Sequence, residues 1–195
     1  MTRSGRSTLR LGVVAAVVLA GLVGATGGAG ATVSSATRRV VLIGDSVMAA
    51  LNPAYTNAAV RVIGGAGWSV TIDARVSRST AQGAQAVRAR RSQETDSVVV
   101  MLGHNDGGTP ALFQRRASAV MQQLKGVPHV YWLTMREPRY AGANRVLRSL
   151  AGQYKNLRLI DWAHHIKPGW TATDGLHLNG AGATGMATLI LASLR

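Results

Sequence analysis

Four short apolar runs rich in β-branched residues, at 39–43, 98–102, 130–134 and 157–160, constrain this chain more than any other feature. None shows the apolar–polar alternation of a strand with one wet face. Such runs suit strands buried on both faces of a parallel sheet. Between them lie segments with helical spacing. The segment 80–91 is rich in Ala and Gln. In 111–124, Leu112, Ala119, Val120 and Leu124 share one stripe, and in 143–154 Val146, Leu147, Leu150 and Ala151 do likewise. A last apolar stretch covers 181–194. The segment 68–76 alternates instead, with Val70, Ile72 and Ala74 set against Ser69, Thr71 and Asp73, which places it near a sheet edge. This alternation of strand and helix predicts an α/β fold, a three-layer α/β/α sandwich around a mostly parallel central sheet. One domain over 38–195 accounts for all of it.

The first 31 residues read differently. Arg3, Arg6 and Arg10 form a basic leader, residues 11–23 an apolar run, and Ala29, Gly30 and Ala31 an A-x-A site. These are the three parts of a secretory signal peptide. Gly and Ala break the apolar run well short of the roughly 20 residues that a membrane span needs, although a retained anchor is the rival reading. The chain is expected to be secreted or wall-associated, with 32–37 as a small polar tail.

Cysteine is absent, which removes thiol nucleophiles and Cys-ligated zinc and leaves packing alone to hold an exported domain together. The formal charge of +14 favours anionic partners. For an exported protein these are wall polymers or a membrane surface; general surface basicity is the alternative. Aromatic residues are few and not interleaved with the basic ones, so no nucleic-acid partner is expected. His164 and His165 are adjacent and cannot both face one ion, and no H-E-x-x-H pattern is present. No metal and no cofactor is expected. The glycine-rich 63–67 lacks the Lys-Ser/Thr ending of a phosphate loop and reads as a turn.

Three polar clusters fall where ligands bind open α/β sheets, beyond the carboxyl ends of strands. Gly44, Asp45 and Ser46 follow the first strand. A serine at such a strand-to-helix turn presents its hydroxyl at the top of the sheet, and its N–H is a donor for a developing oxyanion. Taken alone it is more often an N-cap. Asp45 points away from its neighbour and is assigned to shaping the turn. Gly103, His104, Asn105 and Asp106 follow the strand that ends at Leu102; Asn105 can aim its amide at the same point, or simply form an Asx turn. Asp174 and His177 lie three apart in the last loop, where a carboxylate can orient an imidazole base.

In identity and order the three clusters resemble the SGNH (GDSL-like) hydrolase family over nearly all of 38–195. Val76-Ser77-Arg78, Asp161-Trp162 and Pro168-Gly169-Trp170 are similar to its secreted branch, which includes glycan O-acetyltransferase and acetylesterase domains. The resemblance implies a flavodoxin-like sandwich. It implies Ser46 as nucleophile, His177 as base and Asp174 as its orienting acid. The oxyanion donors would be the Ser46 N–H, the Asn105 amide and a backbone N–H after the second strand. At that last position the family has glycine and this chain has Ser77. Gly67 replaces it if the second strand is 60–64 instead.

The expected activity is hydrolysis of short-chain esters, acetyl foremost, on cell-wall glycans or lipids through an acyl-serine. Transfer to a sugar hydroxyl is an alternative, and so is a basic, non-catalytic wall-binding protein with the same fold. Arg136 and Trp170 are candidate substrate contacts. Arg136, with Arg139, either holds a charged substrate group or is solvated; Trp170 either stacks on a sugar or packs for structure.

Overall fold

The computed structural model describes residues 37–107 and 109–194. The expected leader at 1–31, and the tail apart from Thr37, lie outside them. Five strands form one sheet: β1 (Arg39–Gly44), β2 (Ser69–Ala74), β3 (Ser97–Met101), β4 (His129–Leu133) and β5 (Leu157–Ile160). Their order is β2-β1-β3-β4-β5 and every neighbouring pair is parallel. The chain steps from β1 to one side for β2, then to the other side for β3. A crevice opens at such a reversal, above the carboxyl ends of β1 and β3.

The absence of alternation in the central runs has its cause here. All five residues of β3 are buried, with Val98 and Val100 in one core and Val99 and Met101 in the other. Three long helices cover the first face: α2 (Thr80–Arg90), α3 (Pro110–Gln123) and α4 (Ala141–Gln153). They bring Val87, Phe113, Val120 and Leu147 onto Val100, Val130 and Trp132. The other face is covered by the single turns α1 (Ser46–Ala49) and α5 (Trp162–His165) and by the long α6 (Gly180–Ser193). Each such side chain contributes roughly 1.5–3 kcal/mol when fully buried. The edge strand β2 alternates, with Ser69 and Thr71 exposed, as its pattern predicts.

Helix starts are encoded locally. Ser79 and Gln82 close a capping box on α2, Thr109 caps α3 ahead of Pro110, and Asn179 caps α6. The second strand is the segment expected at 68–76, observed as Ser69–Ala74, and the alternative at 60–64 falls away. Ala59–Ile63 is a turn of π-helix, followed by a 3-10 turn at Gly64–Ala66, within the turn expected at 63–67. Ala59 and Ile63, four apart, are both buried while Val60 and Arg61 are exposed, a helical spacing. Among the described residues, no helix is long and apolar enough to cross a membrane.

The last helix carries a glycine face for Trp170. A methyl on Gly182 would overlap the Trp170 carbonyl, and one on Gly185 its ring. Gly182→Ala is therefore expected to lower the thermal midpoint, because overpacking costs about 1–3 kcal/mol against a helix-propensity gain of about 1. Gly152→Ala in α4 meets only open space and is expected to raise it.

Candidate active site

The site is assembled from the carboxyl ends of three adjacent strands and the loop before α6. Ser46 is the first residue of α1, directly after β1. Asp45 caps that turn: one carboxylate oxygen accepts the Val47 N–H at 3.0 Å and the other meets His104 Nδ1 at 2.8 Å. Both side chains are buried. Asp45 thus fixes the turn that presents Ser46, the task its sequence position suggested.

The structure brings Ser46 and His177, 131 residues apart, to an Oγ–Nε2 distance of 2.9 Å. On the far side of the ring, Nδ1 lies 2.6 Å from Asp174 Oδ2. A proton on Nδ1 donates to that carboxylate and leaves Nε2 to accept from the Ser46 hydroxyl. The other Asp174 oxygen accepts the N–H groups of Leu176 and His177 at 2.9 and 3.0 Å. The carboxylate is held by its own loop before it orients the ring. The hydrogen bond from His177, helped by those two backbone donors, lowers its pKa from 3.8 to about 2. The side chains of His177 and Asp174 remain 46% and 47% exposed, so the site is open to solvent.

The loop after β2 supplies the next parts. Ser77 is exposed and adopts φ +59°, a left-handed conformation that glycine takes at no steric cost. Arg78 turns inward, with its guanidinium donating to Gly44 O at 3.2 Å, to Asp73 O, and to Asp73 Oδ1 at 2.5 Å. Its own carbonyl accepts from Asn105 Nδ2 at 3.2 Å. One buried arginine so ties the Ser77 loop to the strand behind Ser46 and to Asn105. Asp106 secures the neighbouring loop, accepting from the Thr80 N–H at 3.1 Å, the Thr80 hydroxyl, and Arg116 at 2.7 Å.

The remaining candidates part company. Gly67 precedes β2 and lies at the opposite end of that strand from Ser77, which removes it as a donor beside Ser46. Arg136 donates to Gly175 O at 2.9 Å and so braces the Asp174–His177 loop, besides lining a cavity of about 140 Å³ with Asp174 and Leu176. Trp170 is held by Trp162 and by the last helix. Its ring stacks on Trp162 at 6.0 Å and packs on the glycine face of α6. His164 is hydrogen-bonded to Asp161 at 2.8 Å. Among the described residues, no three His, Asp or Glu side chains are placed to hold a metal ion.

Arg78, Asp73 and His104 are the parts that sequence reasoning did not assign. The contacts of Arg78 and His104 with the β1 end and Asn105 join residues 27 to 59 positions apart, whereas Asp73 meets Arg78 and Arg90 only 5 and 17 positions away. The Val76-Ser77-Arg78 motif signalled Arg78, and the Gly103–Asp106 cluster contained His104 without giving it a role.

The sequence matches no family model and no curated protein. The architecture, in contrast, is shared: the chain has the fold of the GDSL lipolytic, or SGNH, hydrolases. One similar structure is the C-terminal catalytic domain of peptidoglycan O-acetyltransferase A from Streptococcus pneumoniae. It is 23% identical, with a TM-score of 0.61 over 80% of this chain and 92% of that one. The psychrotrophic esterase EstA of a Pseudoalteromonas species is 15% identical, with a TM-score of 0.66 over 80% and 96%. A G-D-S-L family lipolytic protein from Veillonella parvula is also 15% identical, at 0.65 over 80% and 97%.

The low pKa of Asp174 yields a linkage prediction. A carboxylate depressed in the folded state stabilises that state above its unfolded pKa and loses the effect as pH falls through the folded value. Asp174→Asn should therefore lower the thermal midpoint near neutral pH. The gap to wild type should be constant down to about pH 4 and close as pH approaches 2.

Proposed function

We propose that the chain is an exported serine ester hydrolase acting on short-chain esters, acetyl foremost, of cell-wall glycans. The observation that carries this reading is the unbroken hydrogen-bonded line from Ser46 Oγ through His177 to Asp174. In this mechanism His177 Nε2 takes the proton as Ser46 Oγ attacks the ester carbonyl, and Asp174 stabilises the imidazolium. The Ser46 and Ser77 N–H groups and the Asn105 amide receive the oxyanion. Collapse expels the alcohol, protonated by His177, and leaves an acyl-serine that water then cleaves by the reverse steps. Neighbours of the same fold with esterase and O-acetyltransferase names support ester chemistry. The basic leader, apolar run and A-x-A site support export, and the basic balance that remains when the three leader arginines are taken from +14 supports an anionic polymer as the surface on which it works.

A second reading is transfer of the acyl group to a sugar hydroxyl, supported by the peptidoglycan O-acetyltransferase among the neighbours of the same fold. The half-exposed His177 and Asp174 side chains leave room for a glycan as well as for water.

Ser46→Ala should lower turnover of an aryl acetate by at least about a thousandfold while the fold is retained. Residual turnover near the wild-type rate would remove Ser46 from the mechanism. A chain-length series should fall from acetyl to octanoyl, and a preference for octanoyl overturns the short-chain assignment. Adding acceptor sugars and weighing the products by mass spectrometry separates transfer from hydrolysis.

The Ser77 donor is a backbone group, so it is tested through the backbone. Ser77→Gly should keep turnover and leave stability within about 1 kcal/mol of wild type, since glycine trades αL strain for unfolded-state entropy. Ser77→Pro removes the N–H and forbids the positive φ, and should cost turnover about a hundredfold or more.

A further inference from the structure

The cavity beside Ser77 holds a cluster of charges that the acyl-transfer steps do not use. Asp73, near the end of β2, is 8% exposed. It is shared by three arginines: Arg78 reaches Oδ1 at 2.5 Å, Arg75 Nε reaches Oδ1 at 3.3 Å, and Arg90 Nε reaches Oδ2 at 2.9 Å. Three guanidiniums on one carboxylate leave a local excess of two positive charges. Burial alone would raise the pKa of Asp73, but its hydrogen bonds to Arg78 and Arg90 reverse the direction and hold it lowered. Asp73 is thus an anion that fixes cations in place.

The way they are fixed matters. Arg90 donates its Nε–H to Asp73, and Arg75 lies beside the same carboxylate as an ion pair without a hydrogen bond. Among the described residues no acceptor takes the terminal N–H groups of either. Their side chains are 69% and 47% exposed. Both line an open cavity of about 450 Å³ whose other walls include Ser77, Gln82 and Gln85. One guanidinium, that of Arg90, is therefore oriented beforehand, and a second is held beside it by charge, on a cavity that also reaches Ser77. A fork of that kind matches the oxygens of a carboxylate or a phosphate.

We infer that this cavity is an anion subsite, and that the preferred ester is carried on a glycan bearing a carboxylate or phosphate near the acylated hydroxyl. The inference rests on the hydrolase reading for its ester arm only. The Arg, Gln and Ser groups on its wall offer hydrogen-bond partners to a sugar, and the aliphatic part of the wall is limited to Val76, Ala86 and Ala89, short for a lipid chain. The anionic group sits between Arg75 and Arg90 while the ester carbonyl faces Ser46.

The test compares kcat/KM for three acetylated sugars on the full chain: a neutral glucoside, a glucuronoside and a glucose phosphate. Wild type should prefer at least one anionic sugar over the neutral one, and which one identifies the group. In Arg75→Gln/Arg90→Gln that preference should fall about tenfold, as expected for losing charge-assisted hydrogen bonds. Arg115→Gln/Arg148→Gln removes the same charge elsewhere and should leave the preference intact. Arg75→Lys/Arg90→Lys keeps the charge without the fork and guards against a loss that merely reflects an unpaired Asp73; it should fall between the two. Equal preferences in wild type and Arg75→Gln/Arg90→Gln, or an equal fall in the distant pair, overturn the subsite.

Calorimetry with glucuronate and with inorganic phosphate gives a second readout that needs no turnover. If no ester is cleaved, the hydrolase reading fails, and the subsite still stands or falls on whether Arg75→Gln/Arg90→Gln weakens that binding. Binding only to anionic phospholipid vesicles, with no binding of either soluble probe, overturns the glycan assignment.

Discussion

Everything at the site depends on the parallel pairing of β1 with β2 on one side and β3 on the other. Parallel strands end together, so the loops that follow β1, β2 and β3 emerge at one edge of the sheet, where the register sets Gly44 beside both Ala74 and Met101. Ser46, Ser77 and Asn105 are the second, third and fourth residues beyond those three partners. Strand register brings them to one edge of the sheet, and contacts between the loops, such as Asn105 Nδ2 to Arg78 O, complete the arrangement. Antiparallel pairing of either neighbour would send its loop to the opposite end. The strong burial of Val40, Leu42, Val99 and Val100 secures that register, since a one-residue slip would exchange the two cores.

Charge is handled by the same economy of placement. Three carboxylates are buried near the site, and each has a partner: Asp45 has His104, Asp73 has Arg78, and Asp106 has Arg116. A buried ion without a partner costs several kcal/mol, so such pairs have little freedom to rearrange. The loops that carry Ser46, Ser77 and Asn105 are each fixed by one of them. The pairs act on position more than on net stability, because desolvation offsets much of their attraction. Asp174 and His177 follow a different rule. Half exposed, they are held by backbone donors inside their own loop, and the open side is left for substrate and for the acceptor of the acyl group.

How much of this was legible in the sequence follows from how local each signal is. The run at 98–102 declared a two-faced buried strand because valines at successive positions face successive cores, and the observed strand is displaced by a single residue. Asp174 and His177 were legible because one loop carries both. Ser46 was legible as a strand-end serine only in company with the other two clusters. The clasp of Arg78 on Gly44 and Asp73 was not legible, since it exists only once β1 and β2 are in register. Of the two places offered for the second strand, 68–76 and 60–64, the structure takes the first; at 59–63 the burial of Ala59 and Ile63 decides for a helical turn, and α6 packs on that turn.

Trp170 shows how a loop can be fixed by what one side chain packs on. Beside the Asp174–His177 loop, an indole suits a sugar platform as well as a structural plug. The deciding feature is in α6, where Gly182 and Gly185 lie three apart and form a flat strip, with the Trp170 carbonyl over one and its ring over the other. Asn179 then completes the attachment: its side-chain amide donates to Gly169 O at 2.7 Å, its carbonyl caps the helix at Gly182, and its N–H reaches Trp170 O at 3.1 Å. The loop between Trp170 and Asn179 is therefore clamped at its base by packing and spanned by the Thr171–Leu178 bridge, with Arg136 bracing Gly175 at its tip. In a chain without cysteine, those contacts take the place of a covalent tie. They hold an exposed imidazole within hydrogen-bond reach of a serine 131 residues earlier in the chain. The indole thereby anchors the loop that carries Asp174 and His177.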